Sequence, residues 1–259
     1  MNLDLDGRIA IVGGASQGIG YGIARALARE GATVAMTARH ESELRAAAER
    51  LHAETGATTL PVQADSRRAE DCVRVAHTVS RELGGVDIVV NNDGAPPLGP
   101  ILSFDDAAWA KAIEQNLMYV VRMARETVPL MKARGGGSIL NITAISAIQP
   151  IPGFALSVAT WSGVIGYAKT LSLEVAPFGI NVNTICPGYV DTTRLQKVFA
   201  SGGEPAEVVQ ERLKGEIPMK RIGSVDDIAH LVALLVSPKG RYITGTAIQV
   251  DGGLLRAVR

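Results

Sequence analysis

The first stretch whose residue types and spacing could do chemistry is a glycine-rich segment near the start of the chain. Gly14, Gly18 and Gly20 follow the pattern G-x-x-x-G-x-G, shortly after the strand pattern of residues 8–12. Glycine lets the backbone approach an anion closely, and the free N–H groups and dipole of a following helix can hold that anion. A structural turn without a ligand is the alternative. The position between a strand pattern and a helix pattern favours a site for the pyrophosphate of a dinucleotide.

The residues after the second predicted strand indicate which dinucleotide would bind. In dinucleotide-binding folds an acid at this strand end binds the ribose hydroxyls, whereas a nearby cation accommodates a 2′-phosphate. Residues 32–38 form an apolar strand pattern that is followed by Arg39 and His40, without an acid. We therefore expect NADP, with NAD as the alternative if Arg39 is only a solvated side chain.

Further polar residues stand at the ends of other predicted strands, where open α/β sheets bind ligands. Asp65 follows the third strand pattern and could accept a hydrogen bond from an adenine amino group, although an Asp before a helix is as often an N-cap. Residues 91–94 read Asn-Asn-Asp-Gly after the fourth strand pattern, and Pro187 and Gly188 end the sixth. Asn116 lies among apolar residues of a long helical pattern. These positions predict a ligand site along one edge of a sheet.

Strand and helix patterns alternate along the whole chain. Strand patterns cover residues 8–12, 32–38, 58–64, 86–90, 138–143, 180–186 and 247–250. Helical spacing of apolar residues covers 21–30, 41–55, 67–83, 105–131, 154–176 and 226–236. This alternation predicts a single Rossmann-type α/β domain over residues 1–259, with one doubly wound parallel sheet and helices on both faces. Residues 190–218 contain glycines and prolines among mixed side chains, which predicts a mobile flap over the site.

Composition excludes several classes of function. Hydrophobic residues make up 47% of the 259 residues and charged residues 20%, which suits strands buried on both faces. The formal net charge is zero, so no electrostatic footprint for nucleic acid exists. No apolar run approaches the roughly 18–20 residues that span a membrane, and the acidic N-terminus is unlike a signal peptide, so we expect a cytoplasmic protein. Cys72 and Cys186 are expected to be buried, inert thiols, and the four histidines lack metal-ligand spacing.

Together these motifs resemble those of the short-chain dehydrogenase/reductase family over nearly the whole chain. The matching features are the glycine segment, the turn at 91–94 with Asp93 where the family usually has Ala, Asn116, Pro187-Gly188 with Thr192, and Asp251-Gly252-Gly253. The resemblance implies that adenine meets Asp65, that Asn91 and Gly94 line the cofactor, and that Thr192 contacts the nicotinamide carboxamide. The predicted cofactor-binding residues are Gly14, Ser16, Gln17, Gly18, Ile19, Gly20, Arg39, His40, Asp65, Ser66, Asn91, Gly94, Trp161, Pro187, Gly188, Val190 and Thr192.

The resemblance also implies a reaction for which this chain lacks the usual groups. The family transfers a hydride between nicotinamide and a carbonyl or alcohol carbon, supported by a Ser, a Tyr and a Lys in a Y-x-x-x-K arrangement. A tyrosine with its usual pKa of about 10 needs the lysine cation to act as an acid near neutral pH. Aligned with the family's helix, this chain has Ala144, Ser157 and Trp161 at the Ser, Tyr and Lys positions, and Y-x-x-x-K occurs nowhere. Asn116 alone remains of the family's catalytic set.

The sequence leaves three classes of function open. The first is an unconventional NADP-dependent oxidoreductase acting on a small molecule, with Asn116, Ser157 and Asp93 as candidate catalytic residues. Its proton would come from Ser157 with bound water, or from Asp93, while Thr143 and Ser146 are further polar candidates with ordinary turn-forming roles as the alternative. The second is a catalytically silent cofactor sensor, or a partner subunit of an active paralogue. The third is a non-redox lyase or isomerase, which no residue supports.

The family resemblance also implies a homotetramer in which the helices at 105–131 and 154–176 form shared faces. A hetero-oligomer with a paralogue is the alternative for a silent subunit. Neither nucleic acid nor a membrane is expected as a partner.

Overall fold

The computed structural model describes residues 2–92, 94, 96–200 and 205–257. The strands in these residues are β1 Ile9–Val12, β2 Thr33–Ala38, β3 Thr59–Gln63, β4 Ile88–Asn91, β5 Gly137–Ile142, β6 Ile180–Pro187 and β7 Ala247–Val250. They form one parallel sheet in the order β3-β2-β1-β4-β5-β6-β7. This confirms the predicted doubly wound α/β fold. The strand order reverses between β1 and β4, which is where such sheets open a crevice for ligands.

Helices connect successive strands and cover both faces of the sheet. They are α1 Gly18–Arg29, α2 Glu41–Thr55, α3 Ala69–Leu83, α4 Asp106–Ala112, α5 Tyr119–Ala133, α6 Ala155–Val175, α7 Thr193–Ala200, α8 Ala206–Glu216 and α9 Val225–Val236. Most of the predicted helices and all of the predicted strands are therefore present with small shifts at their ends. The helix predicted over 105–131 is also present, but a π-helical turn, Ile113–Met118, divides it into α4 and α5.

The two faces of the sheet each carry their own hydrophobic core, because successive side chains of a strand point to opposite faces. Ala10 and Val12 of β1 pack in the core formed with α1, α2 and α9. Ile9 and Ile11 of the same strand pack in the core formed with α3, α5 and α6. Burial on both faces explains why β1 is apolar throughout. Because β1 is held in both cores, the glycine turn that follows it has a fixed position at their edge.

The segment predicted as a mobile flap over 190–218 is largely helical in its described part, and its mobility stays a prediction. Helices α7 and α8 form there because Leu195, Val209 and Leu213 supply a small apolar cluster that also contacts Tyr189 and Ile222. Pro205 stands at the N-cap of α8, where a missing N–H disturbs no helical hydrogen bond. Residues 201–204 lie outside the described residues.

Both cysteines are buried and free, as the sequence predicts. Burial raises the pKa of the Cys186 thiol, which keeps this thiol protonated. Across the described ranges, no helix is long and apolar enough to cross a bilayer. In the same residues, no three His, Cys, Asp or Glu side chains gather into a metal site.

Candidate active site

The glycine segment forms a turn whose shape depends on the absence of side chains. Gly14 and Gly18 have φ angles of +57° and +58°, in the left-handed region that favours glycine. A Cβ at Gly14 would collide with the backbone oxygen of Asn92, and a Cβ at Gly20 would collide with the backbone oxygen of Gly14. Asn92 also donates a hydrogen bond from Nδ2 to the carbonyl of Gly13 at 3.1 Å. The turn is therefore held against the exit of β4, a supporting role of Asn92 that sequence reasoning missed.

Helix α1 begins at this turn with backbone donors left for a ligand. Its N-cap residue Gln17 is extended and makes no side-chain cap, and no acid lies in the first turn of the helix. Free N–H groups and the positive end of the helix dipole attract an anion at such a helix start. Gln17, Gly18 and Ile19 line a cleft that runs from the turn towards α6. The arrangement fits the phosphates of a dinucleotide.

The residues predicted for the adenosine end lie after β2 and β3. Arg39 and His40 are exposed directly after β2. Asp65 accepts a hydrogen bond from Nε of Arg67 at 2.9 Å, and the Arg67 guanidinium holds the pKa of the Asp65 carboxyl below its usual value. Ser66 is buried beside Asp65 in a small recess. An adenine amino group would therefore have to share the Asp65 carboxylate with Arg67.

Asn91 supports the sheet next to the site. It lies directly opposite Asn141 of β5 and donates a hydrogen bond from Nδ2 to the Oδ1 of Asn141 at 2.9 Å. Both residues are buried, and Asn91 is not among the residues that line the cleft. Its predicted contact with the cofactor stays a prediction.

Asn116 lies buried in the π-helical turn between α4 and α5. Such turns occur mostly as single bulges within α-helices and often mark functional sites. Asn116 donates from Nδ2 to Oγ1 of Thr160 at 2.8 Å, and Thr160 donates to the carbonyl of Leu156 at 2.7 Å. Its Oδ1 has no hydrogen-bond partner among the described residues, and it would collide with any Cβ at Gly94. Asn116 thus ties the helix pair α5 and α6 together behind the cleft.

The cleft itself has a volume of about 440 Å³ and collects the carboxyl ends of β5 and β6 with the first turns of α1, α6 and α7. Its lining residues are Gly14, Gln17, Gly18, Ile19, Asn92, Gly94, Gln115, Ile142, Thr143, Ala144, Ile145, Ser146, Ile151, Phe154, Ser157, Trp161, Pro187, Gly188, Tyr189, Val190, Thr192, Thr193, Arg194 and Leu195. Ala144, Ser157 and Trp161 are therefore in one cleft with the glycine turn.

The hydroxyls that line the cleft differ in whether the fold already uses them. Thr143 donates from Oγ1 to the carbonyl of Ile185 at 3.2 Å, so its hydroxyl supports the β5–β6 junction. The hydroxyl of Ser146 is buried and has no hydrogen-bond partner in the described part of the chain. Ser157, 2% exposed, makes no side-chain hydrogen bond there either. Ser146 and Ser157 thus each keep a hydroxyl that can bind an added molecule.

Sequence reasoning missed further cleft residues, among them Gln115, Tyr189 and Arg194. The ring of Tyr189 packs against the cluster that holds α7 and α8, and burial raises the pKa of its hydroxyl, which makes it a weaker acid. Arg194 donates a hydrogen bond from Nη2 to the carbonyl of Pro96 at 3.1 Å. The position of Arg194, two residues after Thr192 in the predicted flap, was the one available signal.

The cleft contains most but not all of the predicted site residues. It includes Gly14, Gln17, Gly18, Ile19, Gly94, Ser157, Trp161, Pro187, Gly188, Val190 and Thr192. Residues outside its lining are Ser16, Gly20, Arg39, His40, Asp65, Ser66, Asn91 and Asn116. Asp93 lies outside the described residues.

Comparison with known proteins identifies close matches in both sequence and structure. Residues 14–255 match the family described as enoyl-(acyl carrier protein) reductase. The chain is 33% identical over 250 residues to human dehydrogenase/reductase SDR family member 4, covering 96% of this chain and 88% of that one. It is 34% identical over 246 residues to a 3-oxoacyl-(acyl-carrier-protein) reductase of Staphylococcus epidermidis, covering 95% and 98%. The L-sorbose reductase of Gluconobacter frateurii, solved with NADPH and L-sorbose, superposes with a TM-score of 0.96 at 33% identity, covering 100% of each chain.

Proposed function

Because the chain belongs to the short-chain dehydrogenase/reductase family, we propose that it is an NADPH-dependent reductase of a small molecule with an atypical active site. The observation that carries the proposal is the shared cleft. Ala144, Ser157 and Trp161 line it together with the glycine turn, so the binding geometry is kept while the phenol and ammonium of the family's mechanism are replaced.

NADP is proposed as the cofactor on two grounds. Arg39 is exposed where a 2′-phosphate would be accommodated, and the strand before it ends without an acid. The similar L-sorbose reductase was solved with NADPH. The turn at Gly14 and the free start of α1 would hold the phosphates, while Asp65 and Ser66 would lie near the adenine.

When bound, NADPH would supply a hydride to a carbon of the substrate. Ser157 would donate a hydrogen bond to the neighbouring heteroatom of that substrate, and Ser146 would hold a water or a second polar group beside it. Neither hydroxyl has a strong acid next to it among the described lining residues, so the site gives little help in protonating an alkoxide. Asp93 remains a candidate proton donor.

Trp161 cannot replace a lysine at this point of the cleft. An indole has one N–H donor and carries no charge, so it cannot lower the pKa of a neighbouring acid. Its ring instead packs against the core between α5 and α6 and presents an apolar wall. Substrates that need little acid assistance suit this site best. An iminium ion becomes a neutral amine when it gains a hydride, and an activated enone takes its proton from water.

The test follows NADPH oxidation with a panel of iminium ions, activated enones and simple ketones. We expect the wild type to reduce the first two classes and to leave simple ketones unreduced. The triple variant A144S/S157Y/W161K restores the family's arrangement and should gain ketone reduction, whereas A144S/S157F/W161K fills the same space without the hydroxyl and should not. Equal wild-type rates for ketones and iminium ions, or no NADPH oxidation with any substrate, would overturn the proposal.

A second candidate, a catalytically silent cofactor-binding sensor or partner subunit, is favoured by the joint replacement of all three groups. It predicts tight NADPH binding by calorimetry without oxidation of NADPH by any member of the panel. Absence of NADPH binding would exclude the sensor, and purification without a homologous partner chain would weaken the subunit.

The assembly and the location of the protein are also proposals. The homotetramer is supported by the family resemblance, and sedimentation velocity measures it directly. A monomer in that experiment would contradict it. A cytoplasmic location is proposed as well, and fractionation of the source cells would test it.

A further inference from the structure

We infer that Arg194 selects substrates that carry a carboxylate on an otherwise apolar body, and that it binds this carboxylate at the mouth of the cleft. The inference rests on the proposed function, since it names the class of molecule that this reductase would take. It assigns a role in specificity to a residue outside the catalytic and cofactor-binding sets.

The first observation is the charge of the cleft. Among the described lining residues, Arg194 is the one with a formally charged side chain. Apolar side chains dominate the wall on the substrate side, from Ile142 and Ile145 to Ile151, Phe154 and Leu195. A single cation beside an apolar wall matches a ligand with one anionic end, because a neutral apolar ligand would leave the cation without a counter-charge.

The second observation is the bonding of Arg194. A guanidinium has five N–H donors in a fork that fits a carboxylate with two parallel hydrogen bonds. The structure gives Arg194 one hydrogen bond within the described residues, from Nη2 to the carbonyl of Pro96 at 3.1 Å. Asp191 is close in sequence, but its Oδ1 accepts a hydrogen bond from Gln196. Most of the guanidinium donors therefore remain for a ligand.

The surroundings of Arg194 make an anion favourable there. Arg194 is exposed overall, at the mouth of the cleft, and the partial burial of its guanidinium lowers the pKa of this group. A bound carboxylate would stabilise the charged guanidinium. Arg194 also lies in the first turn of α7, which contains no acid. The positive end of the helix dipole would therefore attract a carboxylate, as the guanidinium does.

The contact with Pro96 sets the direction from which a ligand would meet Arg194. Pro96 belongs to the segment after β4, and Gly99 of that segment donates a hydrogen bond to the carbonyl of Gly153 just before α6. Arg194 therefore bridges α7 and the segment that lies against the start of α6. Ser157 lies in the first turn of that helix, so the carboxylate would be held on the side of the cleft that carries Ser157.

The test measures equilibrium binding rather than turnover, so it does not depend on the proposed reaction. Phenylacetate and 4-phenylbutyrate are titrated by calorimetry into the NADP⁺-loaded protein, each beside its uncharged primary amide. We expect the wild type to bind each acid at least about tenfold more tightly than its amide, which is about 1.4 kcal/mol. R194Q should lose this preference, and R194K should keep part of it. Lys214→Gln removes a cation from α8 outside the cleft lining and should leave the preference unchanged.

Several results would overturn the inference. These are equal binding of acid and amide to the wild type, no binding of either acid, a preference that survives in R194Q, or an equal loss of NADPH affinity in R194Q, which would assign Arg194 to the cofactor. If R194Q does not fold, the wild type decides alone, because a charge contact requires the preference for the acid to fall as salt is raised. The binding results decide the inference independently of the proposed reaction. They can overturn the role of Arg194 even if the protein oxidises NADPH, and they can support that role even if no substrate is reduced.

Discussion

The cofactor side and the reaction side of the cleft differ in whether the backbone or the side chains determine them. On the cofactor side, the turn at Gly14 and Gly18 is shaped by backbone dihedrals, by close backbone contacts and by the start of α1. On the proposed reaction side, Ala144, Ser157 and Trp161 line the cleft, and we expect their side chains to determine the chemistry. A few side-chain replacements can change a reaction without disturbing a fold, whereas the phosphate turn can hardly change without losing its shape.

The largest effect is expected from breaking the backbone-determined half. Gly14→Val requires a left-handed φ for a β-branched residue and brings its Cβ against the oxygen of Asn92. We expect the free energy of unfolding to fall by more than about 2 kcal/mol and the NADPH affinity to fall by about 100-fold or more. Calorimetric titration and chemical denaturation measure the two quantities.

Gly166→Ala is the control for that variant. Gly166 is exposed in the middle of α6, and a Cβ there would meet no atom within 4 Å. This change should stabilise the protein by about 0.5–1 kcal/mol without altering NADPH affinity. If Gly14→Val bound NADPH like the wild type, the turn would not be a phosphate site.

A smaller effect is expected on the side-chain-determined half. Ser157→Ala removes the hydroxyl that we place beside the substrate, and because serine is a weak acid we expect kcat to fall by only about tenfold, below the usual range for a general acid. The Kd of NADPH should not change. Ser162→Ala on the same helix removes a hydroxyl that donates to the carbonyl of Ala147 and should leave kcat unchanged. An unchanged kcat in Ser157→Ala would remove Ser157 from the reaction.

The smallest effect is expected from weakening the capping of α9. This change tests whether the stability of α9 influences NADPH binding. Asp227 closes the capping box of α9 with Ser224, and the Arg221 guanidinium is the largest influence holding the pKa of this carboxyl below its usual range. Asp227→Asn should lower the free energy of unfolding by about 1 kcal/mol at pH 7. NADPH affinity should stay unchanged.

The pH dependence of that difference has a definite sign. Because the folded-state pKa of Asp227 is lowered, its contribution is complete above its ordinary pKa of about 4 and disappears as the pH falls through the lowered value. Denaturation curves of the wild type and Asp227→Asn should therefore converge in acid. Asp226→Asn is the control, since Asp226 pairs at the surface with Arg25 of α1 at 2.8 Å and should contribute little. Curves for Asp227→Asn that stay parallel to the wild type down to low pH would contradict the assignment.

The sequence could predict the backbone-determined half because glycine spacing and strand patterns are local signals. The alternation of strands and helices and the glycine turn follow from them. The positions of Ser157 and Trp161 near the site were implied by the family resemblance instead. It could not predict that Asp65 is engaged by Arg67, or that Thr143 turns its hydroxyl to Ile185 while Ser146 does not, because these depend on side-chain orientations.

The flap shows a second limit of sequence reasoning. Its glycines and prolines predict a mobile segment and give no sign of two helices, because Leu195, Val209 and Leu213 are brought together only when α7 and α8 pack against each other. The role inferred for Arg194 arises from the same packing, since its contact with Pro96 joins segments that are far apart in the chain. Such contacts between distant residues carry no local pattern.

The Asn91–Asn141 pair has a consequence for how the chain folds. The two amides face each other across the β4–β5 junction, inside an otherwise apolar part of the sheet. Sliding β5 by one residue would set an amide against a hydrocarbon neighbour and leave it without its partner, at a cost of about 1–3 kcal/mol. The pair therefore favours the observed alignment of β4 with β5 over one that is shifted by a residue.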